Sequence, residues 1–214
     1  MSSEKRKFFK QYWNSADVLA DDESTDRIAY LKNSYNDMAY MQFASLLNSP
    51  RAAYFNSITD VCESVYNGSC EYCILPVETM EDGKLLSFYE LILKYGFNIC
   101  SVYELRSDKG FTRYALIGRN FDLRNAGIKS KARNRYLEFV VSENDSISDI
   151  LIAAEFCGLK LRRIDTLNVS LDKNSKGAYI CPEFRVDGSD LQTFLAFLAI
   201  DISGIVPVGI YMQI

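Results

Sequence analysis

The 214-residue chain contains no histidine. That absence removes HExxH metalloprotease sites, Ser-His-Asp and Cys-His nucleophile systems, and imidazole proton shuttles. Any chemistry must rest on carboxylates, hydroxyls, thiols, Lys or Arg side chains, or backbone dipoles. Long apolar runs are also lacking, and nothing approaches the roughly 18–20 residues that span a bilayer. The opening MSSEKRKFFKQYW has charge but no uninterrupted apolar core and no small-residue cleavage site, so it does not read as a secretory signal. Positive charge is in deficit: 24 Lys and Arg against 28 Asp and Glu give a net charge of −4. Nucleic acid is therefore not expected as the main partner, because phosphate binding needs a clustered positive surface. Six cysteines without an export signal fit a reducing cytoplasm and free thiols.

What is present is an ordinary globular composition, long enough for one large domain or two small ones. Residues 1–24 read as an appended helix, with Phe9, Tyr12, Trp13, Ala16, Leu19 and Ala20 on one face. That stripe suits packing on the chain itself or a twin subunit, or else a partner or membrane surface. Strands are expected at 27–31, 51–55, 71–77, 98–105 and 112–118, with helices over 37–47, 57–67 and 85–95 between them. Ser57 with Asp60 forms a capping box, and Gly68 and Gly96 are stops. This rhythm implies an α/β layer with parallel pairing, and such sheets bind ligands at the carboxyl ends of their strands.

Residues 119–134 carry five basic side chains and little periodicity, which reads as a solvated linker in preference to an anion site. Beyond it the order is strand 135–143, helix 146–157, two strands (159–171 and 177–187) joined by the turn DKNSKG, helix 189–200 and a closing strand. Ser146 with Asp149 and Ser189 with Gln192 are the expected caps. That order is βαββαβ, the ferredoxin-like split unit. The division is 1–24 appended helix, 25–118 α/β lobe, 119–134 linker and 135–214 split unit.

Cys70 and Cys73 form a CxxC. If the stretch is extended, residues an odd number apart point to opposite faces, so the two thiols diverge and cannot share a metal. No second CxxC and no histidine completes a zinc set. The cysteines read as small structural hydrophobes, and no metal or cofactor is expected.

The ordered segments RIAYLKNSYNDMAYMQFASLL, SITDVCESVYNGSCEYCILPVET, FYELILKYGFNICSVYEL and TRYALIG resemble the prephenate dehydratase family, which converts prephenate to phenylpyruvate, carbon dioxide and water on the way to phenylalanine. The C-terminal unit resembles the ACT domain that follows the catalytic domain in that family and senses phenylalanine. The fold so implied is a single periplasmic-binding-protein-like α/β lobe followed by an ACT-like domain.

By this resemblance Thr112 would assist departure of the ring hydroxyl. Substrate contacts would come from Arg113, Glu78, Thr79, Asn33, Ser34 and Tyr35, and effector contacts from Asn144, Asp145, Ser146, Ile147, Asp165 and Thr166. Lys32, Lys84, Arg106 and Lys109 are further candidate donors for the two carboxylates of prephenate. Each residue also has a plainer role open to it: Thr112 as a β-branched strand residue, Arg113 as an ion-pair partner, Glu78 as a loop cap, Asp145 and Ser146 as helix caps. The sequence departs from the family at AYLKNSYND, at LPVETMEDG, and in both effector motifs. It also runs from SVYEL through RSDKGF straight into TRYALIG, with no counterpart of the family's second catalytic lobe.

Three roles follow. One is a working or weakly working dehydratase whose missing wall another subunit supplies, with activity weak or lost where none does. A second is a non-catalytic sensor of an amino acid or aromatic metabolite, and a third an assembly subunit pairing through its ACT-like sheet as a homodimer.

Overall fold

Caps, glycines and apolar alternation fix where each element begins, and the computed structural model follows them closely. It describes residues 26–108, 110–119, 134–143, 145–172 and 175–214. The helix expected over 1–24, most of the basic stretch 119–134, Lys109 and Asn144 lie outside the described residues.

Strands β1 (Arg27–Leu31), β2 (Arg51–Phe55) and β3 (Tyr72–Thr79) alternate with helices α1 (Ser34–Ala44) and α2 (Ile58–Tyr66). A short strand, β4 (Gly83–Lys84), folds back on β3, and helix α3 (Leu86–Tyr95) follows. Strands β5 (Asn98–Ser107) and β6 (Gly110–Gly118) form a hairpin. The second half runs β7 (Arg135–Ser142), α4 (Ile147–Phe156), β8 (Lys160–Asp172), β9 (Ser175–Arg185), α5 (Leu191–Asp201) and β10 (Val206–Gln213).

Three local expectations need correction. Helix α1 starts three residues earlier than expected, because the Asn33 side chain accepts the Asn36 amide at 2.8 Å and caps it there. Helix α5 is capped by Asp190, which accepts the Thr193 amide, and not by Ser189, whose hydroxyl donates to the Val186 carbonyl. The extended run containing Cys73 begins only at Tyr72, so alternation does not reach Cys70. Cys62, Cys70 and Cys73 consequently share one apolar core, and all six cysteines are free and buried.

All the strands belong to one mixed sheet, in the order β2-β1-β3-β6-β5-β10-β7-β9-β8, with β4 beside β3. The β2-β1-β3 end is parallel, and the split unit contributes β10-β7-β9-β8, all antiparallel. The sheet stays continuous from one half to the other because β10 pairs in parallel with β5. At that seam the Ser101 hydroxyl donates to the Met212 carbonyl at 3.0 Å and the Ile214 amide to the Val102 carbonyl at 2.9 Å. Gly209 makes the closest approach: a Cβ there would lie 2.6 Å from the Ile99 carbonyl oxygen.

Alternation along β7 assigns its two faces. Leu137, Phe139 and Val141 pack with Ile150, Phe194 and Leu198 under α4 and α5. Tyr136 and Val140 face the other way, into a core that also takes Tyr89 and Ile92 of α3 and Leu167 of β8. A split βαββαβ unit covers only one face of its sheet with its own helices, and here α3 of the first half fills the other.

Candidate functional site

Strands β3 and β5 end where β6 begins, and the pairing sets Thr79 and Leu105 on either side of Thr112. On that face an open-sided cavity of about 280 Å³ is lined by Tyr35 of α1, by Thr79, Met80, Glu81 and Asp82 of the β3–β4 turn, and by Leu105, Ser107, Gly110, Phe111, Thr112 and Tyr114 of the hairpin. The Thr79 hydroxyl lies 3.0 Å from Asp82 Oδ2 and accepts the Asp82 amide at 3.0 Å, which locks the turn. Burial, with the nearby Tyr35 phenol, pushes the Tyr114 hydroxyl above its ordinary range, so it stays protonated. Among the described lining residues are two carboxylates and no Lys or Arg.

The adjacent residue takes the opposite face. Arg113 donates through Nη1 to Glu78 Oε2 at 2.8 Å and through Nε to Glu104 Oε2 at 2.9 Å. Arg163 of β8 holds the other Glu78 oxygen at 2.7 Å and Asp165 Oδ2 at 2.7 Å. Lys84 stands 3.2 Å from the same Asp165 oxygen and 2.5 Å from Oε1 of Glu138, with only 5% of its side chain and 2% of that of Glu138 exposed. The Tyr89 hydroxyl and the Cys181 thiol also donate to Glu138 Oε1, at 2.6 and 3.1 Å. The Tyr211 hydroxyl sits between Glu138 Oε2 and Glu183 Oε1, at 2.9 and 3.1 Å. Arg162 closes the chain of pairs on Glu183 at 2.7 Å.

Burial alone would raise the Glu138 carboxyl, but the Lys84 ammonium and the hydroxyl and thiol donors outweigh it and hold the group at about 2. Burial would likewise lower the Lys84 ammonium, and the Glu138 carboxylate reverses that, leaving it raised. Five cations (Lys84, Arg106, Arg113, Arg162, Arg163) meet five carboxylates (Glu78, Glu104, Glu138, Asp165, Glu183), so the network is neutral. The space left beside it is about 20 Å³. A water needs roughly 10–15 Å³ by such a measure, so this is room for a single water and not for a metabolite.

The expected site residues therefore separate. Thr112, Thr79 and Tyr35 come together around the cavity. Arg113 and Glu78 pair on the opposite face. Asn33 caps α1, and Ser34 is that helix's first residue. Of the further donors, Lys84 is consumed by Glu138, Arg106 pairs with Glu104, and Lys32 lies 5.3 Å over the Tyr54 ring. Among the expected effector residues, Ser146 caps α4, Ile147 opens it, and Asp145 faces the Ser203 hydroxyl at 3.4 Å. Asp165 instead joins the ionic network on β8, with Thr166 next to it.

Sequence reasoning missed Glu138, Glu183 and Tyr211. The available signal was a lone carboxylate in each of two largely apolar runs, RYLEFVVS and AYICPEFR. Among the described residues no helix is long and apolar enough to cross a membrane, and no cluster of His, Cys, Asp or Glu is arranged to hold a metal ion.

Residues 28–113 match the family model of prephenate dehydratase, which bears out the resemblance over that stretch. No curated protein matches the chain. Among solved structures, a prephenate dehydratase from Streptococcus mutans superposes with a TM-score of 0.68 at 18% identity, covering 88% of this chain and 99% of that one. A prephenate dehydratase from Arthrobacter aurescens in complex with L-Phe gives 0.64 at 12% identity, over 87% and 89% of the two chains. GqqA, described as a novel type of quorum quenching acylase, gives 0.61 at 15% identity, over 87% and 94%. At these identities the superpositions establish a shared mixed α/β fold.

Proposed function

We propose that this chain is a prephenate dehydratase-like protein in which dehydratase turnover is weak or lost, and that it acts as a binding or regulatory protein of aromatic amino acid metabolism. The observation carrying this reading is the split between space and charge. The cavity beside Thr112 has room for a metabolite, and its described lining holds two carboxylates and no Lys or Arg, while Arg113, Arg163 and Lys84 are paired with carboxylates on the other face of the sheet, where little room is left. Prephenate brings two carboxylates, and binding them needs directed positive donors in a site that excludes water. A threonine hydroxyl is a weak general acid and depends on such enclosure. By the sequence resemblance the family's second lobe would fall between β5 and β6, where this chain has only a short turn, and the cavity is open-sided.

In this reading the split unit is an ACT-like module. Its strand order, its helix-capping loop at Asp145, Ser146 and Ile147, and the L-Phe bound by the Arthrobacter relative all favour a small amino-acid effector. One carboxylate oxygen of Asp145, Oδ2, is buried with no hydrogen-bond partner among the described groups, which suits an ammonium. Pairing of two copies through the edge strand β8 would give the homodimer, and six free thiols suit a reducing cytoplasm. The same fold serves a protein described as an acylase, so the reaction is argued from the site and not from the fold.

The test is direct. Purified protein and its Thr112→Ala variant are incubated with prephenate and phenylpyruvate is followed against the uncatalysed background. The expected result is no Thr112-dependent turnover, together with a thermal shift on adding phenylalanine. Turnover that disappears in the variant overturns the reading.

A further inference from the structure

The Thr112 cavity has a chemistry of its own, and we infer that it takes a small organic monocation: an amine with an apolar or aromatic body and no carboxylate. This rests on the proposed function, in which the cavity has room for a metabolite but lacks the donors that prephenate needs. Its size, about 280 Å³, lies just below the roughly 300–1,000 Å³ usual for small-molecule sites, which suits a compact metabolite.

Charge selects the sign. Glu81 and Asp82 both line the cavity, and among the described lining residues nothing cationic opposes them. Asp82 is held by Thr79 at both its carboxylate and its amide, so the charge is positioned before a ligand arrives. The nearest arginine along the strand, Arg113, is turned to the other face and held by two carboxylates. A ligand carrying its own carboxylate would meet repulsion from both of these groups.

The rest of the lining suits the organic part of such a cation. The Tyr35 and Tyr114 phenols accept from an ammonium through oxygen, and aromatic faces attract cations. Met80 and Leu105 supply apolar surface. Met80 is 63% exposed and Tyr35 56%, so two large side chains stand at the rim with surface that a bound ligand would cover. Gly110 makes the Met80 position possible, because a Cβ at residue 110 would come within 2.5 Å of the Met80 sulfur.

Phenethylamine and tyramine are the probes, with 3-phenylpropionate as the matched anion and calcium chloride as the inorganic cation, read by thermal shift and titration calorimetry on the full chain. Phenethylamine is expected to bind saturably, 3-phenylpropionate and calcium not to bind, and the Glu81→Gln/Asp82→Asn variant to lose at least tenfold in amine affinity. Equal binding of the anion, binding of calcium in place of the amine, silence of both amines, or amine affinity unchanged in the double variant each overturns the inference. The comparison on the unaltered protein decides the charge preference even if the double variant does not fold. Thr112-dependent turnover of prephenate would overturn the functional reading separately, since it is measured on a different substrate.

Discussion

Lys84 and Glu138, 54 residues apart in the chain, meet at 2.5 Å in the interior, and their contact ties the first half of the molecule to the second. Two charges taken out of water are expensive unless both are paired and hydrogen-bonded. Here the carboxylate has Lys84, Tyr89, Cys181 and Tyr211 around it. Removing one partner leaves the other buried and bare. Glu138→Gln and Lys84→Met are each expected to cost about 3–5 kcal/mol in urea unfolding. The double variant Lys84→Met/Glu138→Leu should recover much of that loss, and a loss equal to the sum of the single changes would refute the coupling.

The same pair sets a pH dependence. The folded Glu138 carboxyl sits at about 2, below its ordinary 4.5. A lowered carboxyl stabilises the fold in full above the unfolded value and ceases to do so as pH falls through the folded one. Stability should therefore decline from about pH 4.5 toward about pH 2, and the slope should be shallower in the Lys84→Met/Glu138→Leu variant. Equal slopes in the two proteins would show that other carboxylates govern the acid limb.

Gly209 is expected to be intolerant of any side chain. Its position against the Ile99 carbonyl leaves 2.6 Å for a Cβ, and the obstacle is backbone, which cannot rotate aside. Gly209→Ala should cost ~1–3 kcal/mol, the usual range for overpacking. For a chain of this size that lowers the melting temperature by roughly 2–4 °C per kcal/mol. An unchanged melting temperature would mean that β5 and β10 separate without penalty.

The thiols give a probe of opening. All six are buried, and the hydrogen bond shared with Cys62, together with burial, raises the Cys73 thiol well above its ordinary range. A thiol-specific reagent should titrate few groups in the native protein and six after denaturation. Rapid native reaction of Cys70 or Cys73 would reopen a redox role for the CxxC.

How much of this was legible in sequence depends on distance along the chain. Ser57 and Ser146 cap their helices as the local S-x-x-D pattern says, because a cap is decided within four residues. Asp190 displaced Ser189 for an equally local reason, since two competent cap residues stand side by side and the pattern cannot rank them. Alternation could have separated Thr112 from Arg113, since strand neighbours face opposite ways; the family resemblance drew both into one site instead. The Lys84–Glu138 pair and the β5–β10 seam left no local trace. Each joins segments whose adjacency is decided only when the whole sheet assembles.

Strand β10 follows every other strand of the sheet in the chain, yet it lies in the middle, between β5 and β7. Until Val206–Gln213 has left the ribosome, the first half has a bare edge at β5 and the second a bare edge at β7, and exposed strand edges invite pairing with other chains. Each half is therefore expected to carry an unpaired edge until that strand is in place. A chain cut short before Val206 is expected to leave both edges open to other chains.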